Sequence, residues 1–133
     1  MIPYPTLSTI GGIPVELLVG ENDLESIIEN TRTGGAQIVK YLQTSAYFAP
    51  ARSIVAMVEA IFNDAKAIIS SSVALEGEYG YRDTALCVPV VLGIGGVEKI
   101  VEIEVPSQIK TKLDKAVASI QSNIAILKEH NVL

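Results

Sequence analysis

Residues able to do acid, base or nucleophilic chemistry are scarce in this chain of 133 residues. His130 is its single histidine and Cys87 its single cysteine. A Ser-His-Asp or Cys-His site needs an imidazole within hydrogen-bonding distance of the nucleophile. His130 stands near the C-terminal end, where we expect it at a helix terminus, beside the helix dipole. We therefore predict that the chain contributes no catalytic residue of its own.

Metal ligands are equally scarce. One cysteine and one histidine cannot form a His/Cys site, and no clustered Asp/Glu loop is visible for an oxygen-ligated cation. Glu76, Glu78 and Asp83 flank turn glycines, so we interpret them as solvated loop carboxylates. Cys87 alternates with apolar neighbours in a β run and is predicted to be a buried, inert thiol. No metal site is predicted.

One stretch has the composition of a pocket lining. TSAYFAPARS, positions 44–53, places small residues, two aromatics and Pro50 at the mouth of a predicted helix. Taken by itself, Ala46 is better explained as a small residue at a tight helix entry than as a pocket wall. The residues alone leave both interpretations open.

Composition excludes several functional classes. The formal charge of −5, with basic residues spread along the chain, argues against a nucleic-acid partner. No run of about 20 apolar residues predicts a membrane span, and the start lacks the basic and apolar regions of a secretory signal. The length and the apolar fraction of 49% predict one domain over residues 1–133. We expect a cytoplasmic protein.

The elements that must position this stretch follow from periodicity. Residues 1–20 indicate two short extended pieces around Gly11 and Gly12, and a helix is predicted from an Asn22 N-cap, kinked or divided at the Gly34–Gly35 pair. A second helix is predicted over 49–63, with Pro50 in its first turn. Further predictions are β runs over 68–75, 85–92 and 97–105, a hairpin at 93–96 and a final helix from 106–107. The order β, α, α, β, β, β, α predicts an α+β fold, an antiparallel sheet packed by helices.

Five blocks of the sequence, in order and at matching spacing, resemble a known family. They are MIPYPTLSTIGGIPVELL, RTGGAQIVKYLQTSAYFAPARSIVAMVEAI, SSSVALEGEYGYRD, VPVVLGIGGVEKIVEIEV and the last helix. Together they resemble the C-terminal, substrate-binding half of the NAD-dependent malate dehydrogenases in the lactate/malate dehydrogenase family. The SAYFAPA stretch is more similar to the malate enzymes than to the lactate enzymes.

The resemblance implies roles for three residues. Ala46 and Ser45 fall where the family lines the pocket for a small dicarboxylate, and Pro50 falls where a side chain lies against the nicotinamide of NAD. It also implies that the Rossmann domain, the substrate-binding arginines and the catalytic histidine belong to an N-terminal half that precedes the segment matching Met1. A fragment without that half is expected to be inactive, and the full-length protein to be an NAD-dependent malate dehydrogenase.

The second predicted helix carries an apolar face wider than burial against one sheet requires. We therefore expect a homo-oligomer, dimer or tetramer, in addition to contact with the N-terminal domain. Two further readings stay open: a non-catalytic oligomerisation or binding module that has retained this shape, and a lactate dehydrogenase family member.

Overall fold

The computed structural model describes residues 2 and 4–130, so Met1 and Pro3 of the predicted extended region lie outside the described residues. The chain forms two compact units, residues 1–51 and 52–133. The expectation of a single domain stays a prediction. Within the described ranges, no helix is both long and apolar enough to cross a bilayer.

The first unit opens with a small hairpin. Strands β1 (Thr9–Ile10) and β2 (Ile13–Pro14) pair antiparallel through a two-residue turn. Gly11 and Gly12 fill that turn with φ of 58° and 83°. Two consecutive left-handed residues are what the tightest hairpin turns require, and glycine adopts that conformation without strain. The predicted extended pieces around these glycines are thus confirmed.

Helix α1 (Glu21–Leu42) follows as one continuous element of 22 residues. Its N-cap is Gly20, so the predicted Asn22 cap is wrong by two positions. An extended Gly20 lets the helix begin early, and Glu21 and Asp23 then bring carboxylates into the first turn, where the helix dipole favours them. The glycine pair at 34 and 35 does not divide the helix.

Helix α2 (Phe48–Phe62) begins one residue before its predicted start and contains Pro50 in its first turn. The first four N–H groups of a helix have no partner within it, so proline is tolerated there. The prediction for Pro50 is confirmed.

The second unit contains the main sheet. Strands β3 (Ala67–Glu76), β4 (Arg82–Gly93) and β5 (Gly96–Ile100) pair antiparallel in that order, and α3 (Ser107–Glu129) packs against β4. The predicted element order and the hairpin at 93–96 are confirmed. Strand β5 ends earlier than predicted: Val101 N–H still donates to the Pro89 carbonyl at 2.8 Å, but Pro89 has no N–H to return the bond.

One face of this sheet is the core. Alternate residues of β4 are buried while their neighbours are partly or fully exposed, as the two-residue period of a strand dictates. Cys87 lies on the opposite face of β4 and is exposed, so the prediction of a buried thiol is wrong. Ala60 of α2 and Val117 of α3 belong to the same buried cluster as alternate residues of β4, and an alternating pattern does not tell which face of the strand that is. The buried apolar residues are Ala60, Leu75, Tyr81, Leu86, Val88, Val90, Leu92 and Val117.

Candidate functional site

The three predicted site residues lie in one short segment of the first unit. Gln43 ends α1 in the left-handed conformation, φ 54°, and its side-chain amide donates to the Lys40 carbonyl at 2.8 Å. Residues 43–47 then form an irregular loop that leads into α2. Ser45 is exposed and Ala46 is half-buried in this loop, and Pro50 is exposed in the first turn of the helix.

Aromatic side chains accompany these residues. The rings of Tyr47 and Phe48 have their centroids 4.5 Å apart and are tilted by 36°. Tyr47 is 54% exposed and Phe48 is 72% exposed. The Tyr47 carbonyl accepts the Ala51 N–H at 2.9 Å, which fixes the loop to the first turn of α2. The segment therefore presents methyl, pyrrolidine and aromatic surfaces. These can form the wall of a pocket, and the hydroxyls of Thr44, Ser45 and Tyr47 are able to exchange hydrogen bonds with a ligand.

A separate hollow of about 260 Å³ in the same unit does not include any predicted site residue. Its polar wall groups are already engaged: Thr31 Oγ1 donates to the Ile27 carbonyl at 2.7 Å, and Ser8 Oγ contacts the Tyr4 carbonyl at 3.5 Å. The hollow is therefore apolar in character and supplies no reactive group. It is lined by Tyr4, Pro5, Ser8, Val15, Leu24, Ile27, Ile28 and Thr31.

The single histidine and the single cysteine lie in other elements than that segment, at the end of α3 and in β4. His130 caps α3, its backbone N–H donating to the Ile126 carbonyl at 3.1 Å, as its predicted place at a helix end requires. Among the described residues, no group of three or more His, Cys, Asp or Glu side chains could hold a metal ion.

A second arrangement, which the sequence did not reveal, surrounds the loop between β3 and β4. Tyr79 has a left-handed backbone, φ 55°, although it is not glycine. Its N–H donates to Glu102 Oε2 at 2.7 Å, and its carbonyl accepts Lys110 Nζ at 2.9 Å. Its phenol donates to the Val101 carbonyl at 2.7 Å and accepts the Ile103 N–H at 3.2 Å. One tyrosine thus fastens the loop to the segment after β5 and to α3.

Tyr81, two residues later and immediately before β4, also uses its side chain to contact α3. Its phenol donates to Asp114 Oδ1 at 2.7 Å, and Lys110 Nζ lies 3.8 Å from its ring centroid. Burial raises the pKa of the Tyr81 phenol, and hydrogen bonding to Asp114 acts in the same direction while Lys110 opposes it. These contacts join residues more than twenty positions apart, so no local sequence pattern could have indicated them.

Glu78 corrects the interpretation of the loop carboxylates. It is half-buried, and its Oε2 accepts the Glu76 N–H at 2.7 Å. Hydrogen bonds from its own backbone N–H and then from that of Glu76 hold the pKa of the Glu78 carboxyl below its usual value. Glu76 and Asp83 are exposed, as predicted. The loop therefore uses Glu78 to hold its own backbone.

Comparison with known proteins gives consistent matches. The family model for the lactate/malate dehydrogenase alpha/beta C-terminal domain matches residues 3–131. The malate dehydrogenase of Bacillus cytotoxicus is 46% identical over 128 residues, which is 96% of this chain and 41% of that protein. The malate dehydrogenase of Symbiobacterium thermophilum is 44% identical over the same shares of both chains.

Solved structures agree with the sequence matches. The malate dehydrogenase of Salinibacter ruber superimposes with a TM-score of 0.91 at 36% identity, over 98% of this chain and 44% of that one. The enzyme of Aeropyrum pernix gives a TM-score of 0.85 at 38% identity, over 90% and 40% of the two chains. The chain thus spans less than half the length of the proteins it matches.

Proposed function

Because this chain belongs to the lactate/malate dehydrogenase family and corresponds to its alpha/beta C-terminal domain, we propose that it is the substrate-binding domain of an NAD-dependent malate dehydrogenase. The reaction is the interconversion of malate and oxaloacetate. The observation that carries the proposal is the end-to-end similarity, 46% identity over 96% of this chain, to a protein named malate dehydrogenase.

The residues that would meet the ligands are Ser45, Ala46 and Pro50. Ala46 ends in a methyl group, which leaves room beside it for a dicarboxylate, and the Ser45 hydroxyl can donate to substrate or to a water. Pro50 offers an exposed, rigid apolar ring of the kind that fits against a flat nicotinamide. NAD, when bound, would supply the hydride acceptor. Ala46 and Pro50 would supply an apolar wall whose side chains make no competing hydrogen bonds, which favours a close approach of the reacting carbons.

Proton transfer has to come from another part of the protein. His130, the single histidine of the chain, caps α3, and Ser45, Ala46 and Pro50 are neither acids nor bases at neutral pH. We propose that the chain alone does not turn over malate, and that the dinucleotide-binding domain and the proton-transfer group belong to the remainder of the full-length protein. This chain covers 41% of the Bacillus cytotoxicus relative, and the part of that relative it does not cover would correspond to this remainder.

Helix α2 supports a role in assembly. Along its second-unit portion, Val55, Val58 and Phe62 recur at intervals of three and four residues and are 46%, 44% and 83% exposed. Ala60 of the same helix is buried in the core, so the helix has a second apolar face. We propose that this face contacts a second copy in a cytoplasmic homo-oligomer. In sedimentation, Val58→Lys should shift the chain toward monomer, and a wild-type monomer at all concentrations would contradict the assignment.

The catalytic proposal is tested by adding the part of a relative that this chain does not match. The chain would be joined to the N-terminal portion of the Bacillus cytotoxicus relative, and malate-dependent NAD reduction measured. We expect activity from the joined protein and none from the chain alone. A joined protein that folds and associates but stays inactive would favour the non-catalytic module, whereas turnover of lactate but not malate would favour the lactate dehydrogenase assignment.

Ala46→Val provides the residue-level test in the joined protein. Two added methyl groups at a pocket wall cost about 1–3 kcal/mol when the site is closely packed, so KM for oxaloacetate should rise about tenfold. Ala51→Val is the matched control, because Ala51 is exposed and lies five residues after Ala46, in the first turn of α2. Equal KM values for the two variants would remove Ala46 from the substrate pocket.

A further inference from the structure

The loop that leaves α2 has an unusual backbone. Asp64 and Lys66 both have left-handed φ, 48° and 50°, although neither is glycine. This conformation is unfavourable for residues with a Cβ and persists where the surrounding structure holds it. The Asp64 N–H donates to the Ile61 carbonyl at 3.1 Å and the Ala65 N–H to the Ala60 carbonyl at 2.9 Å, which anchors the loop to the end of α2.

A charged cluster holds the other side of this loop. Lys66 Nζ lies 2.7 Å from Asp64 Oδ1 and 2.6 and 2.7 Å from the two carboxylate oxygens of Glu98. Within the described part of the chain, the ion pairs of Lys66 are with these two carboxylates. One ammonium thus joins the α2–β3 loop to strand β5.

The turn between β4 and β5 is fastened to the same carboxylates through its backbone. The Ile94 N–H donates to Asp64 Oδ1 at 2.8 Å, and the Gly95 N–H lies 3.5 Å from Glu98 Oε1. Glu98 can reach back because the register shifts between Val91 and Leu92, so that Glu98 has no partner opposite it on β4. The bulge in β5 is therefore what brings its carboxylate over the turn.

Gly93 marks how closely these groups approach. A Cβ at this position would overlap the Glu98 carboxylate and lie 2.8 Å from Asp64 Oδ1, so those side chains would have to move. A Cβ at Gly95 would lie 3.8 Å from Glu98, an ordinary contact. Two glycines of one turn thus differ sharply in what they allow.

We propose that Asp64, Lys66 and Glu98 form a pH-dependent latch, which fastens the loop after α2 to the β4–β5 turn and opens when the Asp64 carboxylate is protonated. The turn contributes only backbone N–H groups to this cluster, so the titratable partners are two carboxylates and one ammonium. Opening the latch releases the turn and the strained loop together, because the same Asp64 oxygen holds both.

The direction of the pH dependence follows from the contacts. Hydrogen bonding from Lys66 and then from the Ile94 N–H holds the pKa of the Asp64 carboxyl below its usual value. Hydrogen bonds to Asp64 and then Glu98 raise the pKa of Lys66. A lowered carboxyl pKa gives a contribution that is present at neutral pH and is lost as the pH falls through that pKa. A raised ammonium pKa gives one that is lost only as the pH rises through it, in strongly basic solution.

The Ile94 amide reports the latch directly. Its resonance and hydrogen-exchange protection would be followed by NMR in this chain from about pH 7 to about pH 3, around the usual carboxyl range. We expect a transition with a midpoint below the usual Asp value while the far-UV CD spectrum is unchanged. Lys66→Met should move that midpoint upward, because the cation that favours the ionised carboxylate is gone.

Gly93→Ala opens the latch without removing a charge. At neutral pH it should lower the protection of the Ile94 amide about tenfold, the size expected when one hydrogen bond to a carboxylate is lost. Gly95→Ala is the matched control and should leave that protection unchanged. The proposal is overturned if the two alanine variants behave alike, or if Lys66→Met leaves the acid midpoint in place. Should Gly93→Ala fail to fold, the Lys66→Met midpoint decides the question alone.

Discussion

Replacing Tyr79 by phenylalanine tests whether one phenol holds the segment after β5 in place. The hydroxyl donates to the Val101 carbonyl at 2.7 Å and accepts the Ile103 N–H at 3.2 Å, so Tyr79→Phe removes two hydrogen bonds from backbone groups. A hydrogen bond contributes about 0.5–1.5 kcal/mol net. Both backbone residues are half-buried, so water can replace part of the loss. We expect a decrease in the free energy of unfolding of about 1–2 kcal/mol.

Urea denaturation followed by CD measures this change. With a slope of about 2 kcal/mol per molar, the middle of the usual range for urea, the midpoint should fall by about 0.5–1 M without a change of slope. Tyr41→Phe is the matched control, since Tyr41 is 84% exposed and should not alter the midpoint. Hydrogen exchange at the Ile103 amide should accelerate only in Tyr79→Phe. Identical midpoints and identical Ile103 exchange in the two variants would refute the reasoning.

Three further predictions concern the sheet. Leu75→Ala should lower the free energy of unfolding by about 2–5 kcal/mol, because Leu75 is only 2% exposed. Ile68→Ala, on the opposite face of the same strand and 66% exposed, should change it by less than about 0.5 kcal/mol. Similar urea midpoints for the two variants would place the core elsewhere. Thr84→Val should leave the unfolding midpoint unchanged or raise it, because the buried Thr84 hydroxyl has no hydrogen-bond partner among the residues that the structure describes. A clear loss of stability would show that the hydroxyl is engaged. Cys87 should react with a thiol reagent in the folded chain nearly as fast as in urea, since it is exposed; a protected thiol would show that this face is covered.

Local patterns predicted the elements well. Gly11 and Gly12 predicted the first hairpin turn, and the glycines at 93–96 predicted the second. The periodicity of the last helix predicted α3, which begins at Ser107. These signals are reliable because each reflects a requirement within a few residues: left-handed φ in a tight turn, or one apolar face per helical turn.

The candidate pocket segment was predicted only in part. The resemblance placed Ser45, Ala46 and Pro50 together, and the structure puts all three within the loop before α2 and its first turn. Their roles toward substrate and NAD stay predictions, since a pocket wall is defined by what faces it. The exposed apolar face of α2, formed by Val55, Val58 and Phe62, was also predicted only in part. The spacing of these residues is visible in the sequence, but their exposure is known only from the fold.

The sequence by itself determined the order of elements, the turns, the family, and the absence of a second histidine or cysteine. Tertiary structure alone decided that Cys87 faces outward, that Glu78 binds its own loop, that Tyr79 fastens three segments, and that Lys66 joins Asp64 to Glu98. The physical reason for the contacts of Tyr79 and of Lys66 with Glu98 is separation along the chain. Backbone conformation is set largely by neighbouring residues, whereas these contacts join groups more than twenty residues apart that strand register and helix packing bring together. The Glu78 contact spans two residues, but it depends on the conformation of an irregular loop, which periodicity does not predict.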